Sequence, residues 1–254
     1  MTNKQKAIYS QLKQTALRTA EVLGKPLFYA EHADELKISC NLLETDALMK
    51  KCMSYLDDKE MYAGHGISHA KAVASDAGAV IQIEERLRNT SAESMTDLIL
   101  YVQIAAIFHD IKRKEKNHTI AGSAEAARIL GNFRIQDRYK RYIAAAIRNH
   151  EAFKEVLDSG DAISELISDS LYDADKFRWG PDNFTTTLWL LVDFFDMPVE
   201  DLHRNFRKNI DFIEKIKGTF RTQTGRKYGP GIIDTGIKIG ETVFKEMSRI
   251  LHLS

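Results

Sequence analysis

The stretch Ile104-Ala105-Ala106-Ile107-Phe108-His109-Asp110 sets an imidazole and a carboxylate side by side at the end of an almost wholly apolar run, residues 98–108. A run with so little polar surface reads as a buried helix. Burying an unpartnered carboxylate costs several kcal/mol, so Asp110 needs a cation, a cluster of donors or a metal ion. Five of the eight histidines, His65, His69, His109, His118 and His150, fall between residues 65 and 150, each at or near an expected helix end. Asp110, and Asp175 within Asp173-Ala174-Asp175-Lys176, complete a His/Asp set. Imidazole and carboxylate without thiolate suit a divalent ion such as Mn, Fe, Co, Ni or Mg better than a structural zinc site. The alternative for the same residues is a hydrogen-bond network that holds no ligand. No GxxxxGK[ST], HExxH, GxSxG or GxGxxG occurs, so P-loop, zincin, hydrolase-elbow and dinucleotide readings lack support.

Cations stand close to these groups in the chain. Lys112, Arg113, Lys114 and Lys116 follow the His-Asp pair. Such a run is either a solvated loop or, beside a metal that binds phosphate, a source of neutralising charge. Arg148 and Lys176 adjoin His150 and Asp175 more closely. His65 precedes His69 by four residues and would share its face if both were helical. Asp173 reads as a support for the ligands or a surface carboxylate, and His32, His203 and His252 as bland positions.

The elements that must position these groups are helices. Apolar residues recur at three and four throughout, alternation is hard to find, and only four prolines occur, so the chain is expected to be all-α. Helices are predicted over 1–25, 45–62, 70–81 after a turn at Gly64–His69, 95–111, 119–130, 135–151, 162–178, 185–195, 199–217 and 234–251. Gly24-Lys25-Pro26 and Gly180-Pro181 are stop signals. The polar, basic segment 221–230 reads as a loop, and one that could fold over the site.

Bulk properties narrow the function. The chain has 254 residues, 44% apolar and 28% charged, which suits a soluble domain with a real core. Lys plus Arg equals Asp plus Glu at 36 each, so no global basic field exists to hold nucleic acid or an anionic membrane. The two cysteines, Cys40 and Cys52, have no metal-finger spacing and fit a reducing compartment. The first residues are polar, which predicts no signal peptide, and apolar runs stay well short of the ~20 residues that span a bilayer. A cytoplasmic location is expected.

The order His69 … His109-Asp110 … Asp175 resembles the HD-domain superfamily of metal-dependent phosphohydrolases. His69-Ala70-Lys71-Ala72-Val73 is similar to that family's H-x-x-x-V, His109-Asp110 to its namesake pair, and Asp173-Ala174-Asp175-Lys176 to its D-x-D-K. His118-Thr119-Ile120-Ala121-Gly122 and Ile147-Arg148-Asn149-His150 resemble the H-x-x-x-G and Ile-x-x-His elements of its two-metal members. The resemblance covers residues 62–182. It implies an all-α, HD-domain helical bundle at 62–182, with helical extensions at 1–61 and at 183–254, the latter packing on the HD domain. It implies metal ligands His69, His109, Asp110 and Asp175, with His118 and His150 joining them if a second ion binds.

Three departures are specific. No GYP follows residue 151, which disfavours cyclic-dinucleotide phosphodiesterases. Arg113 stands where the nucleotidase branch has Glu, and Arg178 stands where Asp is commoner. The implied activity is hydrolysis of a phosphate ester or anhydride, nucleotide-like or otherwise small, by water activated on one or two ions. Asp110 would be a catalytic residue that bridges the ions if two bind, Lys114, Lys176 or His65 candidate proton donors, and His65, Lys112 and Arg148 substrate contacts. The same ligands occur in a di-iron oxygenase branch of the family, and a non-catalytic signalling module keeps its fold.

Overall fold

The computed structural model describes residues 2–57, 62–88, 93–158 and 160–252. The first helices are α1 (Asn3–Leu23), α2 (Leu27–Glu31), α3 (Ala33–Thr45) and α4 (Ala47–Met53). The middle of the chain forms α5 (Ile67–Arg88), α6 (Met95–Phe108), α7 (His118–Leu130), α8 (Asp137–Arg148) and α9 (Ala162–Phe177). A π-helical turn (Asn183–Thr187) then leads into α10 (Leu188–Phe194), α11 (Val199–Ile216) and α12 (Gln223–Ile250). No strand occurs among the described residues, as the three-to-four spacing predicts. No helix among them is long and apolar enough to cross a membrane.

The apolar run of α6 makes it the central helix. Ser94 caps it by accepting the Asp97 N–H at 3.1 Å, and from Leu98 to Phe108 every residue except Tyr101 is buried. Full burial of side chains such as Ile104, Ile107 and Phe108 contributes about 1.5–3 kcal/mol each. α5, α8 and α9 pack around this helix.

Two apolar clusters share the chain, and they do not follow its order. One gathers α3 to α9 around α6. The other joins α1 and α2 to the π-helical turn, α10, α11 and α12, with Ala79 and Val80 of α5 and Phe177 of α9 at its boundary. α1 lies along α12, and the Tyr9 hydroxyl donates to the Met197 carbonyl at 2.8 Å. The expected boundary at 61/62 borders residues 58–61, which lie outside the described residues. The helix expected over 45–62 is shorter than predicted: α4 ends at Met53, and residues 54–57 already lie outside it.

Several elements differ from the sequence expectation. α2 and α3 lie between the predicted helices. α3 fully buries only Ser39 and Leu43, with Leu42 and Leu36 packed half-buried on the two apolar clusters. Polar contacts hold it as well, with Ser39 Oγ donating to the Ser75 carbonyl at 2.7 Å and Gln103 Nε2 to the Ser39 carbonyl at 2.8 Å. The segment 221–230 is no loop: it forms the first turns of α12, with Pro230 inside the helix. Proline there forfeits a backbone hydrogen bond, a cost of about 3 kcal/mol. Two buried acids offset it at the helix start. Asp173 accepts the backbone N–H groups of Arg221 (2.9 Å) and Thr222 (2.8 Å), and Glu84 accepts the Thr224 N–H at 2.7 Å. Gly225 is the closest approach, since a Cβ there would stand 2.0 Å from Asp173 Oδ2.

Candidate metal centre

Helix ends bring the histidines together. His65 lies just before α5 and His69 in its first turn, His109 ends α6, His118 opens α7, His150 follows α8, and Asp175 and Lys176 lie in the last turn of α9. A turn beyond α6 carries Asp110 inward, with the Arg113 N–H donating back to the Asp110 carbonyl at 2.9 Å. Gly122 of α7 packs on the His109 carbonyl, 3.4 Å from where its Cβ would be.

The ring orientations are fixed from behind. His109 Nδ1 meets the Ala106 carbonyl and His150 Nδ1 the Ile147 carbonyl, both at 2.7 Å. A carbonyl only accepts, so each Nδ1 carries a proton, and in the neutral ring each Nε2 presents a lone pair. Those lone pairs converge on acceptors. Nε2 of His69 lies 3.3 Å from Nε2 of His109 and 3.4 Å from Asp175 Oδ1. Nε2 of His109 lies 3.3 Å from Asp110 Oδ2 and 3.7 Å from Asp175 Oδ1, and His69 Nε2 lies 4.0 Å from Asp110 Oδ2. Ligands bonded at 2.0–2.2 Å to one ion stand about 3.0 Å apart when adjacent in an octahedron and about 3.4 Å apart in a tetrahedron. The four groups therefore fit a divalent ion. Ligand atoms of His65, His69 and Asp110, of His69, His109 and Asp175, and of His109, Asp110 and His150 form three mutually close sets.

Electrostatics favour the same occupant. Burial lowers His69 to about 4, and burial together with Arg113 lowers His118 to about 4. Burial also lowers His150, so these three imidazoles are neutral near pH 7 and available as ligands. At His109 burial acts downward too, but the charges of Asp110 and Asp175 outweigh it and raise that group. Burial would raise both carboxylates, yet His109 and the other imidazoles hold Asp110, and Lys176 holds Asp175, well below the ordinary range.

The second side of Asp110 is different. Its Oδ1 is buried with no hydrogen-bond partner and lies 3.5 Å from His150 Nε2 and 3.9 Å from His118 Nε2. Arg113 Nη1 is there as well, 3.8 Å from Oδ1 and donating to His118 Nε2 at 2.7 Å. A second ion on His118 and His150 fits only if Arg113 releases His118.

Of the other candidates, His65 belongs to the site: its Nδ1 is 2.7 Å from Asp110 Oδ2. Lys176 donates to Asp175 Oδ2 at 2.6 Å and to the His150 carbonyl at 3.0 Å. Lys112 and Lys114 do not line the cavity: Lys112 pairs with Glu115 at 3.7 Å, and Lys114 is exposed. Arg148 points to Thr119 Oγ1 at 3.4 Å and also lies outside it. The cation that the charge run sends inward is Arg113, three residues after Asp110, a spacing that puts both on one side of a helical turn. Asp173 anchors α12, as above, and touches no ligand. His32 is half-buried rather than superficial, with Nε2 3.0 Å from the Tyr228 hydroxyl. Arg178, half-buried, pairs with Asp76 and with Asp182.

The imidazole cluster floors a cavity of about 520 Å³. His65, His69, Asp110, Arg113, Asp175 and Lys176 reach it from below, and residues between 179 and 213 form the facing wall. In comparisons with known proteins, no family model, no curated protein and no solved structure matches the chain.

Proposed function

We propose that the chain is a metal-dependent phosphohydrolase that cleaves a phosphate ester or anhydride of a small molecule with water. The observation that carries this reading is the convergence of His69, His109, Asp110 and Asp175 within ligand spacing of one another at the floor of a ligand-sized cavity. The motif resemblance between residues 62 and 182 supports it. One divalent ion would be held by these four residues, and when bound it supplies Lewis acidity, lowering the pKa of water and drawing charge from phosphoryl oxygens.

The chain's own residues do the rest. Arg113, beside Asp110 Oδ1, offers guanidinium donors to the phosphoryl oxygens and takes the place of a second cation on the His118 side. Lys176 keeps Asp175 ionised and aims its Oδ1 at His69 and His109. His65 holds a proton on Nδ1 against Asp110 Oδ2, which leaves the Nε2 lone pair to take the proton of the attacking water and return it to the departing oxygen. Lys112, Lys114 and Arg148 have no part in this scheme, because none reaches the cavity.

Elemental analysis of the protein as isolated, paired with a screen of phosphate esters in Mn, Co, Ni and Mg, tests the reading. About one ion per chain and release of inorganic phosphate support it. A folded, metal-free protein overturns it, as do two irons with substrate-dependent O₂ uptake.

A further inference from the structure

The wall facing the imidazoles is built mostly of carbon. Between residues 179 and 213 the side chains lining the cavity include three polar ones, Asn183, Thr187 and Asn209, and no charged one. The remainder includes Trp179, Phe184, Leu188, Leu191, Phe206 and Ile213.

Two rows of aromatic rings extend this apolar surface outward. Tyr62 lies 6.2 Å from His65 and 6.2 Å from Phe195, and Phe195 lies 5.0 Å from Phe194. Trp179 lies 5.5 Å from Phe212, and Phe212 lies 5.6 Å from Phe153. The outer rings are in water: Phe194 is 57% exposed, Phe153 56%, Phe195 52% and Phe212 42%. Contiguous exposed apolar surface of this kind marks a place where something apolar binds.

A nucleoside would bring ribose hydroxyls and a base edge, each costly to bury unpaired, to a wall with three neutral polar side chains. A hydrocarbon or aryl body meets the same wall without that cost. We infer that the site takes a phosphate monoester of a large apolar alcohol, with the phosphate on the imidazole floor and the organic group against residues 179–213. This inference rests on the phosphohydrolase reading. In the reaction, water forms a bond to phosphorus and the P–O bond to the alcohol breaks. The proton released by the water ends on the alcohol, giving alcohol and inorganic phosphate.

Straight-chain alkyl phosphates from ethyl to hexyl test the inference, because their leaving alcohols differ little in acidity and the series isolates apolar contact. kcat/KM is expected to rise about fourfold per methylene. Leu191→Asn, checked for unchanged metal content, is expected to lower the hexyl-to-ethyl ratio at least fivefold. A second readout needs neither metal nor turnover: displacement of 1-anilinonaphthalene-8-sulfonate from chelator-treated protein, with hexyl phosphate expected to act at lower concentration than ethyl phosphate. Turnover that is flat along the series, or that favours nucleoside monophosphates over hexyl phosphate, overturns the inference and leaves the phosphohydrolase reading standing. If no ester is hydrolysed, that reading falls, and displacement still decides the pocket: chain-length dependence supports an apolar ligand and equal displacement overturns it.

Discussion

Oδ1 of Asp110 and Nε2 of His150 face each other at 3.5 Å, both as acceptors, because Nδ1 of His150 spends its proton on the Ile147 carbonyl. Two lone pairs at that separation repel unless positive charge stands near them. On this side of Asp110 the charge belongs to Arg113, and on the Oδ2 side the four ligand groups offer a place for an ion. The carboxylate thus divides the floor of the cavity into a half whose groups could hold a metal ion and a guanidinium half.

Removing that carboxylate should empty the metal half. Asp110→Asn is expected to purify with less than about a tenth of the wild-type metal and to lose phosphate release by at least ~1,000-fold, roughly the loss of a key electrostatic group. Chelation should lower wild-type stability by about 3–4 kcal/mol when the ion is otherwise present at hundreds of times its Kd. The variant's unfolding curve should not move with chelator. Full metal content in Asp110→Asn would refute the assignment.

Arg113→Ala separates one-ion from two-ion chemistry. Freed of the guanidinium, His118 and His150 can serve a second ion beside Asp110 Oδ1, so titration with Mn is expected to rise from one ion per chain toward two. KM for the phosphate ester should rise about 10- to 100-fold, the value of a charge-assisted hydrogen bond. A wild-type stoichiometry of two would show that Arg113 does not exclude the second ion.

Lys176 is buried and holds Asp175 and the His150 carbonyl together. Lys176→Met leaves a buried carboxylate without its cation, so metal-free protein should lose about 3–5 kcal/mol in urea unfolding. Adding Asp175→Asn removes the stranded charge and should recover part of that loss. No recovery in the double variant would mean the pair is not the source.

Asp169 gives a pH signature well away from the ligands. Burial raises its carboxyl to about 6, against the opposing pull of Arg221, whose Nη1 is 3.7 Å away. An unfolded chain releases this proton near 4. The folded state therefore binds more protons between these values, and this group's stabilising contribution is complete below about pH 4 and lost as pH rises through 6. Two units correspond to at most about 3 kcal/mol. The stability of Asp169→Asn relative to wild type should climb by up to that amount from pH 4 to pH 7, measured by urea unfolding with chelator. A constant difference would place the Asp169 pKa at its ordinary value.

The parts of the site that could be read from the chain were those whose signal is local. An imidazole at the end of an apolar run marks a helix terminus aimed at the interior, and His109 carried that signal, while His69 and His150 were legible from their places at helix ends. The charge run 112–116 carried none, because four cations in five residues have no amphipathic bias. Which of them turns inward depends on the turn after Phe108, so Lys112 and Lys114 were named as site residues where Arg113 is the one that lines the cavity. Residues 221–230, with Gly225, Gly229 and Pro230 among them, were read as a loop. In the fold the two glycines are contact points for Asp173 and Phe220, and the proline is carried by a helix those contacts hold.

The sequence by itself determined an all-helical chain and the chemical kind of its site, since spacing and side-chain type are properties of the residues alone. Tertiary structure decided the rest. It chose Arg113 as the inward cation, gave Asp173 to α12 rather than to the ligands, and brought residues 179–213 over the imidazoles as an apolar wall. The reason is physical: a carboxylate, a cation or a phenyl ring acquires its function from what the folded chain sets within a few ångströms of it, and those neighbours lie tens of residues away in the sequence.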